Sequence, residues 1–281
     1  MNKIKTKKLI VLIIVLMMLF LTSCTSNSAN ASNSLELNSD SRYANTYPVS
    51  EFLDDDTYNK YMNDDGSIFN CITKFCDSLT NAKQFSYVPF VGNEIELLNI
   101  DIPECCREMK DTYKINNQSA MAVKAIQISK SFTDLFPYKI DKGRDFIIED
   151  YNYYISKTIP IILGSAYNDY FSVGDVFEGY YLFERFNFEV IGILDSDSTF
   201  YNKQVGGLDS YDNFIIMPLA NVTEDNEFSR IVSLQKLSGF MLVNGNRQEA
   251  LEEYYNLLDL ADLKYLSNQF TINSKPIMKQ D

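Results

Sequence analysis

The chain has 281 residues, 46% of them hydrophobic, with 19 Tyr and 19 Phe, which is enough apolar mass for one large domain or two small subdomains. Its formal net charge of −13 at pH 7 argues against a nucleic-acid partner and against simple adsorption to anionic lipid. The chain contains no histidine, which removes Ser-His-Asp and Cys-His nucleophile systems, His-ligated zinc and His as a general base, while carboxylate and lysine chemistry stay open.

The first segment carries Lys3, Lys5, Lys7 and Lys8, then an apolar run from Leu9 to Leu21, then Leu21-Thr22-Ser23-Cys24. That run has the length of a signal-peptide core and is short for a span of ~20 residues. Leu-Thr-Ser-Cys resembles the lipobox of bacterial lipoproteins, which implies cleavage before Cys24 and a lipid on its thiol, with residues 1–23 as the signal peptide. Residues 24–44, rich in Ser, Asn and Ala, read as a flexible tether. The competing reading is an uncleaved signal anchor with Cys24 an ordinary residue at the outer face. Both place the rest of the chain outside the cytoplasm. Outside the cell, Cys71, Cys76, Cys105 and Cys106 leave open one or two disulfides, free thiols, or a zinc site whose spacing is poor.

Residues 47–56 read as an extended segment ending in an acidic turn, and Asp54-Asp55-Asp56 opens a helix through residues 57–62. Asn63-Asp64-Asp65-Gly66 is a turn, too short for a calcium loop. Residues 67–81 predict an amphipathic helix with Ile68, Ile72, Phe75 and Leu79 on one stripe. Strands are expected at 84–91 and 94–100. Residues 118–129 alternate loosely and lead into a short turn or helix at Phe132–Phe136. Further strands are expected at 159–163, at 176–182 paired with 186–194 around a bend near Glu184-Arg185, at 214–217 and at 239–243, with a final helix over 247–260.

Six pieces in one order carry a resemblance. They are Ser131-Phe132-Thr133-Asp134-Leu135-Phe136, Lys142-Gly143-Arg144-Asp145-Phe146, Ile159–Tyr167 with its Gly164, Tyr170-Phe171-Ser172-Val173-Gly174-Asp175, Phe188–Leu194 with its Gly192, and Phe214-Ile215-Ile216-Met217-Pro218. Together they resemble the extracytoplasmic domain, the MacB-like periplasmic core, of FtsX/MacB-type ABC transporter permeases. The resemblance implies an α+β fold: a mixed α/β lobe, residues 45–130 and 218–281, with a small β-rich lobe, 131–217, inserted. It also implies contacts with ABC exporter components or a peptide substrate, no cofactor and no enzymatic role. The chain departs from a permease in showing no further spans and no ATP-binding motif before Asp281. The expectation is therefore a free-standing, membrane-anchored relative, or a piece of a truncated or split permease.

Two rivals are weighed. Asp195-Ser196-Asp197-Ser198-Thr199 after an apolar strand resembles the D-x-D-x-T loop of haloacid-dehalogenase phosphatases, chemistry that needs Mg²⁺ and no histidine. Asp and Ser also make ordinary hairpin exits through local turn bonds, and that reading is preferred. Tyr151, Tyr153, Tyr154, Tyr180 and Tyr181 suggest the aromatic cleft of a solute-binding lipoprotein, against the preferred reading as strand faces.

Overall fold

The computed structural model describes residues 41–203 and 206–277. Cys24, the export segment and most of the expected tether lie outside the described residues. Helix α1 (Ser41–Ala44) is one turn. It ends the tether earlier than expected, because Tyr43 is a docking residue: its ring stacks on Phe136 at 5.7 Å and its hydroxyl donates to the Leu135 carbonyl at 3.1 Å.

Strand β1 (Thr46–Glu51) is followed by α2 (Asp55–Met62). Asp54 caps α2 by accepting from the Thr57 amide at 2.8 Å, the role the acidic run predicts. Helix α3 (Ser67–Leu79) buries Phe69, Ile72, Phe75 and Leu79. Phe69 takes the place predicted for Ile68, which packs half-buried at the flank.

Strand β2 (Phe85–Leu98) is one continuous strand of 14 residues where two were expected. Gly92 and Asn93 do not turn the chain, because their backbones pair with Ile126 and Ala125 of β4 (Gln118–Ile128). The first half of β2 pairs with β12 (Gly239–Val243), β12 with β1, and β1 with β13 (Phe270–Ile272), all antiparallel. Helices α2, α3 and α6 (Arg247–Leu260) bury Tyr61, Phe75 and Tyr254 in the core that this sheet shares.

The second half of β2 closes a ring. With β6 (Thr158–Leu163), β7 (Val176–Tyr181), β8 (Glu184–Leu194) and β11 (Ile215–Pro218), the hydrogen-bonded order is β2-β7-β8-β6-β11-β4, and β4 returns to β2. This is a six-stranded barrel. β6 runs parallel to β8, and β11 parallel to β4. Alternate residues point inward, among them Ile95, Val123, Ile161, Phe177, Phe188 and Ile215. Closure leaves these strands no free edge.

The ring interlocks the two expected lobes. Residues 118–128, placed in the first lobe on sequence, supply a barrel strand, and β2 serves both parts. Between sheet and barrel lies an aromatic core of Phe90, Phe132, Phe136, Phe200 and Phe240, roofed by α4 (Lys130–Leu135). Strands β3 (Tyr113–Ile115), β5 (Ile140–Gly143), β9 (Thr199–Asn202) and β10 (Gly207–Ser210), with helix α5 (Glu227–Gln235), complete the described elements named here. The β7–β8 turn falls at Leu182-Phe183, φ +48° and +66°, two residues before the expected bend, because Tyr181 and Glu184 already pair.

Glu94 and Glu96 face out of the barrel on β2, opposite in side to Ile95. Burial, then the neighbouring Glu94 charge, pushes the Glu96 carboxyl up to about 7 from 4.5. A carboxyl whose folded pKa is raised keeps its proton in the folded state. The stability it supports is complete below the unfolded value and is lost as pH rises through the folded one. That loss should reach about 2–3 kcal/mol between pH 4.5 and pH 8. Glu96→Gln should remove most of the slope, read from urea midpoints at the two pH values; an unchanged slope would contradict the assignment.

Candidate functional site: a pocket between sheet and barrel

Where sheet and barrel meet along β2, a pocket of about 310 Å³ opens to the surface. Helix α3 presents Cys76, Asp77 and Leu79 to it, and β2 presents Tyr87 and Pro89. The start of α4 adds Ser129, Lys130 and Ser131, and Tyr151, Leu219 and Lys236 close the far side. Leu79, Tyr87, Tyr151 and Leu219 are buried, so the interior is apolar. The Ser129 hydroxyl donates to the Pro89 carbonyl at 3.2 Å and lies 3.0 Å from the Ser131 hydroxyl, which ties the start of the first motif to β2.

Lys236 follows α5 as its C-cap, at the end of the helix where the backbone carbonyls favour a cation. Burial holds its ammonium below the ordinary lysine range, partly offset by Cys76 and Asp77. Among the described residues its side chain has no hydrogen-bond or ion-pair partner. Burial pushes the Cys76 thiol up to about 12, so it stays protonated and unreactive at neutral pH. A second pocket, about 480 Å³, runs along the other flank of α3 between Asn70, Lys74, Asn81 and Leu257; it is a broad, polar surface depression.

The four cysteines are free thiols. Cys71 and Cys76 pack against the core of the sheet and Cys106 in that of the barrel, so no staple joins the two pairs. Cys105 and Cys106 hold their sulfurs 3.8 Å apart, well beyond a bond of ~2.05 Å. Among the described residues, no three His, Cys, Asp or Glu side chains converge on a metal position.

The motif residues shape the barrel and the turns around it. Gly143 has φ +81°, and a Cβ there would meet the Ile191 carbonyl at 2.2 Å. Beside it Arg144 grips Asp150 with two hydrogen bonds of 2.6 and 3.0 Å. A Cβ on Gly164 would lie 2.2 Å from the Tyr211 carbonyl, so only glycine lets the chain leave β6 there. Asp195 is partly exposed and paired with Lys139 at 2.8 Å; that bond holds its carboxyl below the usual range, and it lines neither pocket. Its loop makes local turn bonds, Ser196 donating its amide to Asp195 at 3.0 Å.

The five tyrosines do not share a cleft. Tyr154 stacks on Phe228 at 4.5 Å, Tyr153 and Tyr181 pack against Phe186, and the Tyr181 hydroxyl donates to Gln127 at 2.5 Å. Tyr180 and Tyr181 lie on β7 as strand-face residues, whereas Tyr151 belongs to the 3-10 turn Ile148–Asn152, with Tyr153 and Tyr154 just after it. Tyr151 alone among them lines the pocket. On sequence Lys236 figures only beside Lys264 as a lysine that could serve the phosphatase loop, and its place in this pocket is not expected. Its signal is α5, whose Phe228 and Val232 recur at helical spacing just before it.

The class these features define is an α+β domain in which a helix-covered sheet and a closed barrel share one strand. Two solved structures are similar to it. One is the periplasmic region of MacB from Actinobacillus actinomycetemcomitans, with 14% identity, 82% of this chain and 89% of that chain covered, and a TM-score of 0.44. The other is the extracellular domain of the noncanonic ABC-type transporter YknZ from Gram-positive bacteria, with 13% identity, 82% and 100% covered, and a TM-score of 0.43. No protein-family model matches the chain. No curated protein matches it either.

Proposed function

We propose that this chain is a non-enzymatic extracytoplasmic domain of the kind carried by FtsX/MacB-type permeases, held at the membrane through Cys24 and acting through protein or peptide contacts. The observation that carries the reading is the order of the six motifs, which fall in turn on α4, β5, β6, the turn before β7, β8 and β11: three barrel strands, with the roof, the β5 strand beside β8 and a turn packed against them. No helix among the described residues is long and apolar enough to span a membrane.

The test is mass spectrometry of the full chain recovered from its own cells, with cross-linking in the intact membrane. The expected result is a mature N-terminus at Cys24 carrying diacylglycerol, and cross-links to a permease with several spans. An unmodified chain that stays in the membrane would replace the lipid anchor by a signal anchor. Mg²⁺-dependent phosphomonoester hydrolysis that disappears in Asp195→Asn would sink the non-enzymatic reading.

A further inference from the structure

We propose that the pocket between sheet and barrel binds an organic carboxylate with an apolar body, the carboxylate meeting the Lys236 ammonium and the body filling the space between Leu79, Tyr87, Tyr151 and Leu219. The inference goes beyond the anchoring role and does not depend on it.

Four observations carry it. The pocket has the ~300 Å³ or more of small-ligand sites, at 310 Å³, and lies where two parts of the fold meet. Its interior is apolar, which favours a ligand that buries hydrocarbon. Its innermost charged group is a half-buried lysine, unpartnered among the described residues, in a chain of net charge −13, whereas the buried Arg230 bonds Asp225 and the half-buried Lys203 bonds the Val49 carbonyl. A partly buried charge without a partner is costly, and a carboxylate supplies the missing counter-charge with a charge-assisted hydrogen bond. The Ser131 hydroxyl, also on the wall, donates to Ser129, whose own proton goes to the Pro89 carbonyl, so the first donor offered to an acid is Lys236.

The rim refines the ligand. Asp77, Thr80, Lys130, Ile148 and Asn221 are exposed around the opening, and Asp77 and Lys130 oppose each other in sign. Asp77 lies close enough to Lys236 to favour its charge, and the two lysines and one aspartate of the lining leave a net charge of +1, which suits one carboxylate rather than a phosphate of higher charge. The volume accommodates one large side chain or a short acid. The carboxylate comes either from a free acid or from the last residue of a peptide, and the two sources share this chemistry.

The experiment is calorimetric titration of the full chain in nanodiscs with four probes: 4-phenylbutyrate, its neutral amide, acetyl-Gly-Gly-Phe with a free carboxylate, and the same peptide amidated. Each acid should bind at least about tenfold more tightly than its amide, the scale of a charge-assisted bond. Lys236→Met, which keeps the apolar stem, should abolish that difference. Lys114→Met, on β3 and outside the pocket, should leave it intact, and the thermal transition of each variant shows that it is folded. Tighter binding of the peptide acid than of phenylbutyrate assigns the site to chain termini, and the reverse assigns it to free acids. Equal binding of acids and amides, an acid preference that survives Lys236→Met, or no heat with any probe at 10 mM (on the order of the weakest specific affinities) would each overturn the proposal.

Discussion

Arg230→Met should lower the unfolding free energy by about 3–5 kcal/mol. The Arg230 guanidinium is buried, and each of its three nitrogens donates to an oxygen. It bonds the Asp225 carboxylate at 2.7 Å, the Asp64 carbonyl at 2.9 Å and the Tyr61 carbonyl, and so ties α5 to the end of α2 and the turn before α3. Methionine retains the stem but leaves two carbonyls and a carboxylate without their donor. Asp225 is held below the ordinary carboxylate range chiefly by its bond to Arg230, so removing Arg230 also raises that pKa. The double variant Arg230→Met/Asp225→Asn should be less destabilised than the two single losses added together, because it strands no charge. Urea unfolding followed by near-ultraviolet circular dichroism reads all of these, since the chain has 19 Tyr and no Trp. Strict additivity would mean that the pair is not coupled.

Phe132→Ala should cost a similar ~3–5 kcal/mol, for a different reason. Phe132 is fully buried and stacks on Phe90 at 4.8 Å, with Phe136 at 5.1 Å, Phe240 at 6.2 Å and Phe200 at 6.3 Å. Phe90 and Phe240 belong to the sheet, and Phe132 and Phe136 to the roof of the barrel. The ring is therefore the contact through which the two parts hold each other. Alanine leaves a cavity that four aromatic neighbours cannot fill without leaving their rotamers. Phe132→Leu should cost less than about 2 kcal/mol, because most of the volume remains. If alanine and leucine cost the same in urea unfolding, the effect is not cavity formation.

Both expectations bear on how such a domain would transmit a contact. The barrel and the sheet share β2 as a covalent strand and Phe132 as a packed joint, and the pocket lies beside that joint. Ser129, just before the first motif, bonds β2 at Pro89, Ser131, which opens the motif, bonds Ser129, and both line the pocket. A ligand there would press on the same residues that join the two parts.

Much of the local structure was legible in the sequence. The acidic start of α2, the stripe of α3, the buried face Ala250, Tyr254 and Leu258 of α6, the apolar run of β6, and the β7–β8 pair all follow from patterns within one helix, one strand or one hairpin. Glycines at 143 and 164 announced close backbone passages, and the absence of histidine removed whole reaction classes before any coordinates existed. The tertiary structure alone decided the rest. Whether Gly92-Asn93 turns or continues depends on β4 lying opposite, and whether β4 belongs to a lobe or a barrel depends on β11, 90 positions further along from Ala125 to Ile215. Among the described cysteines, Cys71 and Cys76 settle against the core of the sheet and Cys106 in that of the barrel, which keeps the two pairs apart. Lys236 became a candidate site residue only when α3, β2 and the loops after β4 and β11 closed around it. Short-range periodicity encodes which face of an element is apolar; it does not encode which distant element that face will meet, and the pocket is made of such meetings.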